Sequence, residues 1–293
     1  MKVAVFGQFD NNFPKEHVSL VINHLLKHNL EIYLESKCAE KIKEIFSNSF
    51  ATFSSHLDLD NSFDFLISIG GDGTILRALS FIRDLNIPII GVNSGRLGFL
   101  ATIQKENIEK SLNNILNNQY TISERSILAL ETLTPLNENE DPFNYALNEI
   151  AVSRKNTTSM ITVKTFLNSQ HLTSYWADGL IVATPTGSTG YSLSCGGPVI
   201  SPSAKSFVLT PIAPHNLNAR PLVIPDDTTI TLKVSGREEF HLVSLDSRIL
   251  TVKNETELII KKAPFTIKMI TPKGENFLKT LRNKLLWGED KRN

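Results

Sequence analysis

Short apolar runs and segments of helical spacing alternate through roughly the first 120 residues. The runs typical of buried strands occupy residues 3–6, 31–35, 64–70 and 88–92. Apolar residues spaced three and four apart predict helices over residues 15–28, 38–46, 74–84 and 105–118. This order of strand and helix predicts an α/β domain with a doubly wound sheet.

The pattern changes between about Tyr120 and Ile270, where apolar and polar residues alternate with period two and turn residues recur at short intervals. This pattern favours antiparallel strands at residues 161–167, 229–234, 248–252, 257–261 and 265–270. Helical spacing returns over 275–287. The turn-rich segment 135–143 is predicted to be the most mobile loop.

These patterns predict a doubly wound α/β N-terminal domain and a β-rich C-terminal domain, α+β overall. The predicted divisions are an N-terminal domain at 1–122, a C-terminal domain at 123–270, and a helical tail at 271–293 that packs back on the N-terminal domain. No repeat or low-complexity segment interrupts them.

Composition narrows the class of protein. Lys plus Arg and Asp plus Glu number 30 each, so no strong field attracts nucleic acid or an anionic membrane. Apolar runs are too short for a membrane-spanning helix or for a signal peptide near the N-terminus. Two cysteines, Cys38 and Cys195, are typical of unpaired thiols in a reducing compartment. We therefore expect a cytoplasmic protein.

Phosphate chemistry is predicted for Gly70-Gly71-Asp72-Gly73-Thr74, which follows a buried strand and opens a helix. Glycines let the backbone approach a ligand, and the free N–H groups at the helix start suit phosphate. Asp72 is the one carboxylate in this turn, and accepting a proton from an attacking hydroxyl would explain its presence beside phosphates. The alternative is a glycine turn with Asp72 as a helix N-cap. The P-loop lysine pattern is absent from the sequence.

A second candidate segment, residues 184–194, places hydroxyls and glycines after the strand LIVA at 180–183. Such small donors suit a nucleotide, although a Ser/Thr-rich turn before a helix explains them as well. Two pairs are weaker signals by themselves. Asn148-Glu149 is compatible with ordinary surface, and Asp178-Gly179 with a plain turn.

Taken in order, these motifs resemble the NAD kinase family. The resemblance rests on the strand followed by GGDGT, the Asn148-Glu149 pair, Asp178-Gly179-Leu180, PTGSTGYSLSCGGP at 185–198 and HNLNARPLVI at 215–224. IIGVNSGRLGFLA at 89–101 is also similar. The family has an N-terminal α/β domain and a C-terminal β-rich domain, with the active site in the cleft between them. GGDG alone is shared with diacylglycerol kinases, sphingosine kinases and phosphofructokinases.

The resemblance implies that Asp72 is the base acting on the 2′-hydroxyl of the adenosine ribose of NAD. It implies that ATP or polyphosphate supplies the phosphate. It also implies that a divalent metal is required, which is Mg²⁺ when ATP is the donor. It implies a homo-oligomer, often a tetramer, in which Asp178 reaches the dinucleotide from a neighbouring subunit. The implied substrate-binding residues are Gly73, Asn148, Glu149, Trp176, Asp178, Thr189, Gly190, Tyr191, Ser192, Ser194, Ala213 and Arg248.

Three positions depart from the family pattern. Gly190 stands where alanine is frequent, which removes a methyl group from the loop. Trp176 stands where many relatives have arginine or glycine, and its indole would stack on a ring or narrow the pocket. Arg248 stands where some relatives have glutamine, so it either adds a cation near the phosphates or faces solvent.

Two other functions compete with NAD phosphorylation. A lipid kinase shares the GGDG turn, but it usually has a membrane-facing basic or apolar patch, and the charge balance disfavours this. A dinucleotide-binding sensor with the same fold needs no base, so Asp72 in its glycine frame favours catalysis.

Overall fold

The apolar runs of the N-terminal half form a largely parallel sheet in the computed structural model, which describes residues 1–7, 14–132, 143–156 and 159–287. Its strands, in spatial order, are β3 (Ala51–Phe53), β2 (Glu31–Glu35), β1 (Lys2–Gly7), β4 (Phe65–Gly70), β5 (Ile89–Asn93), β19 (Ile267–Pro272) and β6 (Tyr120–Arg125). Neighbours from β3 to β19 run parallel. The chain order reverses between β1 and β4, and ligands bind open α/β sheets at such switch points, outside the carboxyl ends of the strands.

Helices cover both faces of this sheet, which explains why its strands are continuously apolar. The helices are α1 (Lys15–Lys27), α2 (Ser36–Ile42), α3 (Asp72–Ile82), α4 (Ile108–Leu116) and α6 (Phe277–Leu285). Apolar residues of α1, α2 and α4 share one core with Val3 and Val5 of β1. On the opposite face of β1, Phe6 contacts Phe81 of α3, with ring centroids 5.2 Å apart. The predicted doubly wound α/β arrangement is confirmed.

Residues 125–266 form a unit with two six-stranded sheets. The first contains, in spatial order, β11 (Gln170–Ala177), β10 (Ile161–Leu167), β15 (Ile230–Gly236), β18 (Glu257–Lys262), β7 (Leu128–Thr132) and β8 (Tyr145–Ala146). The second contains β14 (Leu222–Pro225), β13 (Ser206–Ile212), β12 (Gly179–Ala183), β9 (Glu149–Arg154), β16 (Phe240–Leu245) and β17 (Arg248–Lys253). Both sheets contribute alternate residues to one buried core, including Val163, Leu232, Val152 and Leu180.

The division of the chain differs from the predicted one at its C-terminal end. One unit comprises residues 1–124 and 267–293, called here the N-terminal unit, and the other comprises 125–266, the C-terminal unit. The strand predicted at 265–270 was grouped with the β-rich domain, but β19 lies in the parallel sheet with Met269 opposite Ile89. Alternation of apolar residues indicates a strand but does not indicate which sheet it joins.

Residues 135–142 of the predicted mobile loop fall outside the described residues. In the part of the chain that is described, no helix has both the length and the apolar character needed to cross a bilayer.

Candidate active site

The GGDG turn begins where β4 ends and α3 starts. Gly70 ends the strand, and a Cβ atom there would lie 2.1 Å from Thr74 Oγ1, so only glycine fits. Gly71 is the N-cap of α3 and Asp72 is its first residue, so the interpretation of Asp72 as the N-cap was wrong. The adjacent Gly73 is exposed, with no atom within 4 Å of its ideal Cβ position. The turn therefore presents open backbone at the positive end of a helix.

The Asp72 carboxylate is enclosed by backbone donors from the segment that follows β5. Its Oδ2 accepts from Phe99 N at 2.8 Å, and its Oδ1 accepts from Leu100 N at 3.0 Å and Ala101 N at 2.9 Å. An ideal Cβ on Gly98 would lie 2.0 Å from Asp72 Oδ1. We call residues 97–101 the aspartate loop, because it wraps this side chain.

The start of the segment after β5 is fixed by Asn93, which is buried at the end of that strand. Asn93 Oδ1 accepts from Gly95 N at 2.7 Å, and Asn93 Nδ2 donates to Arg96 O at 2.7 Å and to Ala101 O at 3.3 Å. The segment returns along the sheet, where Ile103 N donates to Gly91 O. The hydrogen bonds of Asn93 at the strand end thus hold the aspartate loop in place.

Antiparallel pairing builds a second cluster in the C-terminal unit. Glu149 at the start of β9 lies opposite Ala183 at the end of β12, so Asn148-Glu149 and the segment 184–194 meet at one edge of the sheet. The turn between β16 and β17 reaches the same edge, because Leu245 lies opposite Ile150. Segments separated by up to about a hundred residues are brought together there by strand register.

Asp246 in that turn holds the cluster together, although no pattern in the sequence singles it out. Its Oδ2 accepts from Leu147 N at 2.9 Å, and its Oδ1 accepts from Asn148 N at 2.8 Å and Glu149 N at 3.1 Å. Its φ of +52° lies in the left-handed region, which aspartate tolerates better than most residues. The only sequence signal was an Asp followed by Ser between two strand patterns, which is typical of many turns.

The hydroxyl-rich segment packs tightly against this corner. Thr184 Oγ1 donates to Leu147 O at 2.5 Å, and Gly187 N donates to Thr184 Oγ1 at 3.1 Å. A Cβ on Gly187 would lie 2.0 Å from Asn148 O, so glycine is required for this approach. At Gly190, the departure from the family, a Cβ would lie 3.3 Å from Gly187 O and 3.4 Å from Glu149 Oε2. Alanine would therefore be only slightly crowded at position 190.

Several hydroxyls of this segment brace the loop itself. Ser188 Oγ donates to Pro185 O at 2.7 Å and accepts from Ile200 N at 2.9 Å. Ser192 Oγ lies 2.8 Å from Thr210 Oγ1, and Thr189 Oγ1 donates to Thr186 O at 3.2 Å. The side chains of Tyr191 and Ser194, on α5 (Tyr191–Ser194), are exposed and remain for a ligand.

Two acceptors in this corner have no partner among the described residues. Asn148 Oδ1 and Glu149 Oε2 are buried and receive no hydrogen bond. Burial raises the pKa of Glu149 to about 8, with the nearby negative charge of Asp246 adding to the rise and the Tyr191 N–H opposing it. Buried acceptors without donors are costly, so this corner is suited to a ligand that brings hydroxyl or amino groups.

The buried Glu149 carboxyl makes the stability of the protein depend on pH. Its folded-state pKa of about 8 lies above its ordinary value of 4.5, so the folded protein holds a proton that the unfolded chain loses between these two values. Stability from this group is therefore present below about pH 4.5 and is lost as the pH rises through about 8. We expect the melting temperature of Glu149→Gln relative to wild type to rise by roughly 5–15 °C between pH 5 and 8.5, measured by thermal unfolding.

The matched control for that measurement is Glu238→Gln, which changes an exposed carboxylate in the same unit. The melting temperature of Glu149→Gln relative to wild type should change more with pH than that of Glu238→Gln. Equal changes with pH in the two variants would contradict the raised pKa of Glu149.

Asp178 and Trp176 lie at the opposite end of β12 from the Asn148-Glu149 corner. Asp178 Oδ1 pairs with Arg154 Nη1 at 2.9 Å, with both side chains partly exposed. Trp176 is 52% exposed, and its ring centroid lies 5.2 Å from that of His215. Ala213, just after β13, has a φ of +42°. This end is held by Arg154, which the sequence did not identify.

Arg248 has a local structural role. Its guanidinium donates to the carbonyl oxygens of Phe143 and Tyr145, and it lies 4.8 Å from the centroid of the Phe143 ring. The two alternatives from the sequence, a cation near the phosphates or a solvent-facing side chain, did not include these contacts. Arg248 fastens the chain before β8 to the start of β17.

No preformed metal site occurs among the described residues, since they contain no group of three or more His, Cys, Asp or Glu side chains suited to one ion. The carboxylate of Asp72 is directed to backbone N–H groups. These residues do not fit a metal held by the protein alone.

Comparison with known proteins covers the whole chain. Residues 11–120 match the ATP-NAD kinase N-terminal domain, and residues 147–271 match the ATP-NAD kinase C-terminal domain. An NAD kinase of Flavobacterium psychrophilum is 60% identical to this chain, with 100% of both chains covered. An NAD kinase from Archaeoglobus fulgidus, solved in complex with ATP, is 28% identical over 97% of both chains, with a TM-score of 0.72.

A more distant structure shares the fold. The yeast NADH kinase solved in complex with NADH has a TM-score of 0.89 at 23% identity, covering 99% of this chain and 88% of its own. The GGDG turn, the Asn148-Glu149 corner and the full-length match to an NAD kinase agree, and the chain belongs to the NAD kinase family.

Proposed function

We propose that this kinase transfers the terminal phosphate of ATP to the 2′-hydroxyl of the adenosine ribose of NAD, giving NADP. The observation that carries the proposal is the 60% identity with an NAD kinase across the full length of both chains. The unpartnered acceptors Asn148 Oδ1 and Glu149 Oε2 support it, because a dinucleotide supplies ribose hydroxyls and an adenine amino group as donors.

Asp72 is proposed as the base that accepts the proton of the attacking hydroxyl. A carboxylate offers about four lone-pair positions, and three of those on Asp72 face backbone N–H groups. About one position is left for a substrate hydroxyl. In phosphoryl transfer the bond to the nucleophile forms late, so even a weak base can accept the proton.

The GGDG turn and the Asn148-Glu149 corner are proposed to bind different parts of the substrates. The N–H groups at the start of α3 and Gly73 lie open to the donor phosphates, as helix N-termini do in many phosphate sites. Asn148, Glu149 and the segment from Thr189 to Ser194 bind the dinucleotide. Trp176, Asp178, Ala213 and Arg248 are proposed to contact the nucleotide as well.

The metal is proposed to arrive with the donor as Mg·ATP. Mg²⁺ is commonly held by substrate phosphates with one or two carboxylates and several waters, which fits a protein whose described residues lack a cluster of metal ligands. Bound in that way, it neutralises charge on the phosphates. ATP is favoured as donor because the Archaeoglobus relative was solved with it, and polyphosphate is the alternative.

A single assay separates these functions. The purified protein is incubated with Mg·ATP and NAD, and the product is detected with an NADP-specific dehydrogenase. Parallel reactions replace NAD with NADH, diacylglycerol or fructose 6-phosphate, and replace ATP with polyphosphate. We expect NADP to accumulate with NAD. Phosphorylation of diacylglycerol without any NADP would identify a lipid kinase, and NAD binding without turnover would identify a sensor.

We further propose a homo-oligomer that resembles the family tetramer, in which Asp178 serves the neighbouring subunit. Asp178 comes just before β12, and Thr184 comes just after it. Since β12 is five residues long, it spans roughly 16 Å. This length of strand separates Asp178 from the Asn148-Glu149 corner of its own chain. Edge strands β14 and β17 of that sheet expose Val223 by 49% and Ile249 by 66%. A symmetric partner is a common cover for such edges.

Mixed refolding tests the shared site. Asp72→Asn and Asp178→Ala are each expected to be inactive alone, and to regain part of the activity when unfolded, mixed and refolded together. Some mixed sites then combine an intact Asp72 with an intact Asp178. Refolded wild type must recover activity as the control. No recovery in the mixture, or a monomeric mass by light scattering at micromolar concentration, would contradict the shared site.

A further inference from the structure

The Asp72 carboxylate is bound by more hydrogen-bond donors than its proposed role as a base requires. Its two carboxylate oxygens accept from three consecutive backbone N–H groups, those of Phe99, Leu100 and Ala101, at 2.8 to 3.0 Å. A base needs only a free lone pair. Three fixed donors do more, since they restrict where that remaining lone pair can point.

Gly98 completes this enclosure by having no side chain. An ideal Cβ at Gly98 would lie 2.0 Å from Asp72 Oδ1 and 2.7 Å from Asp72 Cγ, well inside any real contact distance. Gly95, three residues earlier, differs sharply, because no atom lies within 4 Å of its ideal Cβ position. The requirement for glycine at position 98 therefore comes from Asp72.

The outer side of the aspartate loop is held by the C-terminal helix α6. Lys284 Nζ donates to Leu97 O, across 187 residues of sequence. A small polar pocket of about 80 Å³ lies between α6 and the segment from Leu97 to Asn107, lined by residues that include Leu97, Gln104, Lys279 and Asn283. The Lys284 hydrogen bond therefore links α6 directly to the start of the aspartate loop.

We propose that Gly98 and Lys284 are positioning residues for the reaction: α6 holds the aspartate loop through Lys284, and the loop, closed by Gly98, aims the Asp72 carboxylate at the substrate hydroxyl. This inference rests on the proposed role of Asp72 as the base. It assigns a function in catalysis to the C-terminal helix, which carries none of the family motifs quoted above.

Gly98→Ala is the principal test. The added methyl forces the carboxylate or the loop to move, and a displacement of about 1 Å at a reacting group costs on the order of 10²-fold in rate. We expect kcat to fall roughly 10- to 100-fold, with the KM values for NAD and ATP changing less than about 3-fold. Gly95→Ala is the matched control, expected to keep the wild-type kcat. Thermal unfolding confirms that each variant is folded.

The Lys284 series tests the helix without touching the loop. Lys284→Met keeps the aliphatic stem and removes the donor, so kcat is expected to fall about 2- to 10-fold, the range that one hydrogen bond contributes. Lys284→Arg restores a donor and is expected to recover most of the loss. Arg282→Met removes an exposed cation from the same helix and should leave kcat unchanged.

The outcomes separate this inference from the proposed function. If Gly98→Ala, once shown to be folded, retains a kcat within 2-fold of Gly95→Ala, the loop does not position Asp72. If Gly98→Ala does not fold, the Lys284 series decides, and equal kcat for Lys284→Met and Lys284→Arg overturns the role of α6. If Asp72→Asn is itself active, the assignment of the base has failed, and the loop positions nothing catalytic.

Discussion

Asp72→Asn is expected to lower kcat by on the order of 10²–10⁴-fold, the usual effect of removing a general base. The amide is isosteric, and its oxygen can take the place of Asp72 Oδ1 toward Leu100 N and Ala101 N. Its NH₂ group faces Phe99 N, so one of three contacts is lost. The melting temperature should therefore change by only a few degrees.

Steady-state kinetics with Mg·ATP and NAD, together with thermal unfolding, measure this prediction. Asp84→Asn, in the turn after α3, is a control that changes the same chemical group outside the GGDG turn. Activity of Asp72→Asn within a few-fold of wild type, with a normal melting curve, would show that another group accepts the proton.

Asp246→Ala is expected to lower the free energy of unfolding by about 3 kcal/mol and to weaken NAD binding more than 10-fold. Its removal leaves the N–H groups of Leu147, Asn148 and Glu149 without their acceptor. Buried donors left without acceptors cost about 1–3 kcal/mol each, less where water can enter. The corner that carries the dinucleotide-binding pair would loosen.

Asp246→Asn is the matched variant, because its amide oxygen can still serve Asn148 N and Glu149 N. We expect a loss intermediate between wild type and Asp246→Ala, both in calorimetric melting and in NAD affinity by titration calorimetry. Asp227→Ala removes an exposed carboxylate of the same unit as the control. Equal melting temperatures and affinities for Asp246→Ala and Asp227→Ala would contradict the role given to Asp246.

Local patterns were enough to locate most elements of the chain. The apolar run at 64–70 became β4 (Phe65–Gly70), and the helical spacing at 15–28 became α1 (Lys15–Lys27). The same patterns were less reliable for the ends of helices. The helix predicted over 38–46 is α2 (Ser36–Ile42) in the structure. It begins earlier than predicted because the Glu35 side chain accepts a hydrogen bond from Cys38 N at 3.0 Å and caps the helix. Caps depend on single contacts that periodicity does not report.

The sequence by itself determined that Asp72 stands at the end of a buried strand in a glycine turn, because strand, turn and helix start are all local patterns. Its motifs also determined the family. The tertiary structure alone decided that Phe99, Leu100 and Ala101 enclose Asp72, that Asp246 holds Asn148 and Glu149, and that β19 joins the first sheet. The physical reason is that these contacts join residues about 30 to 180 positions apart through strand register and backbone donors. Almost every residue has a backbone N–H donor, so the pattern of side chains does not predict which of these donors will bind a given carboxylate.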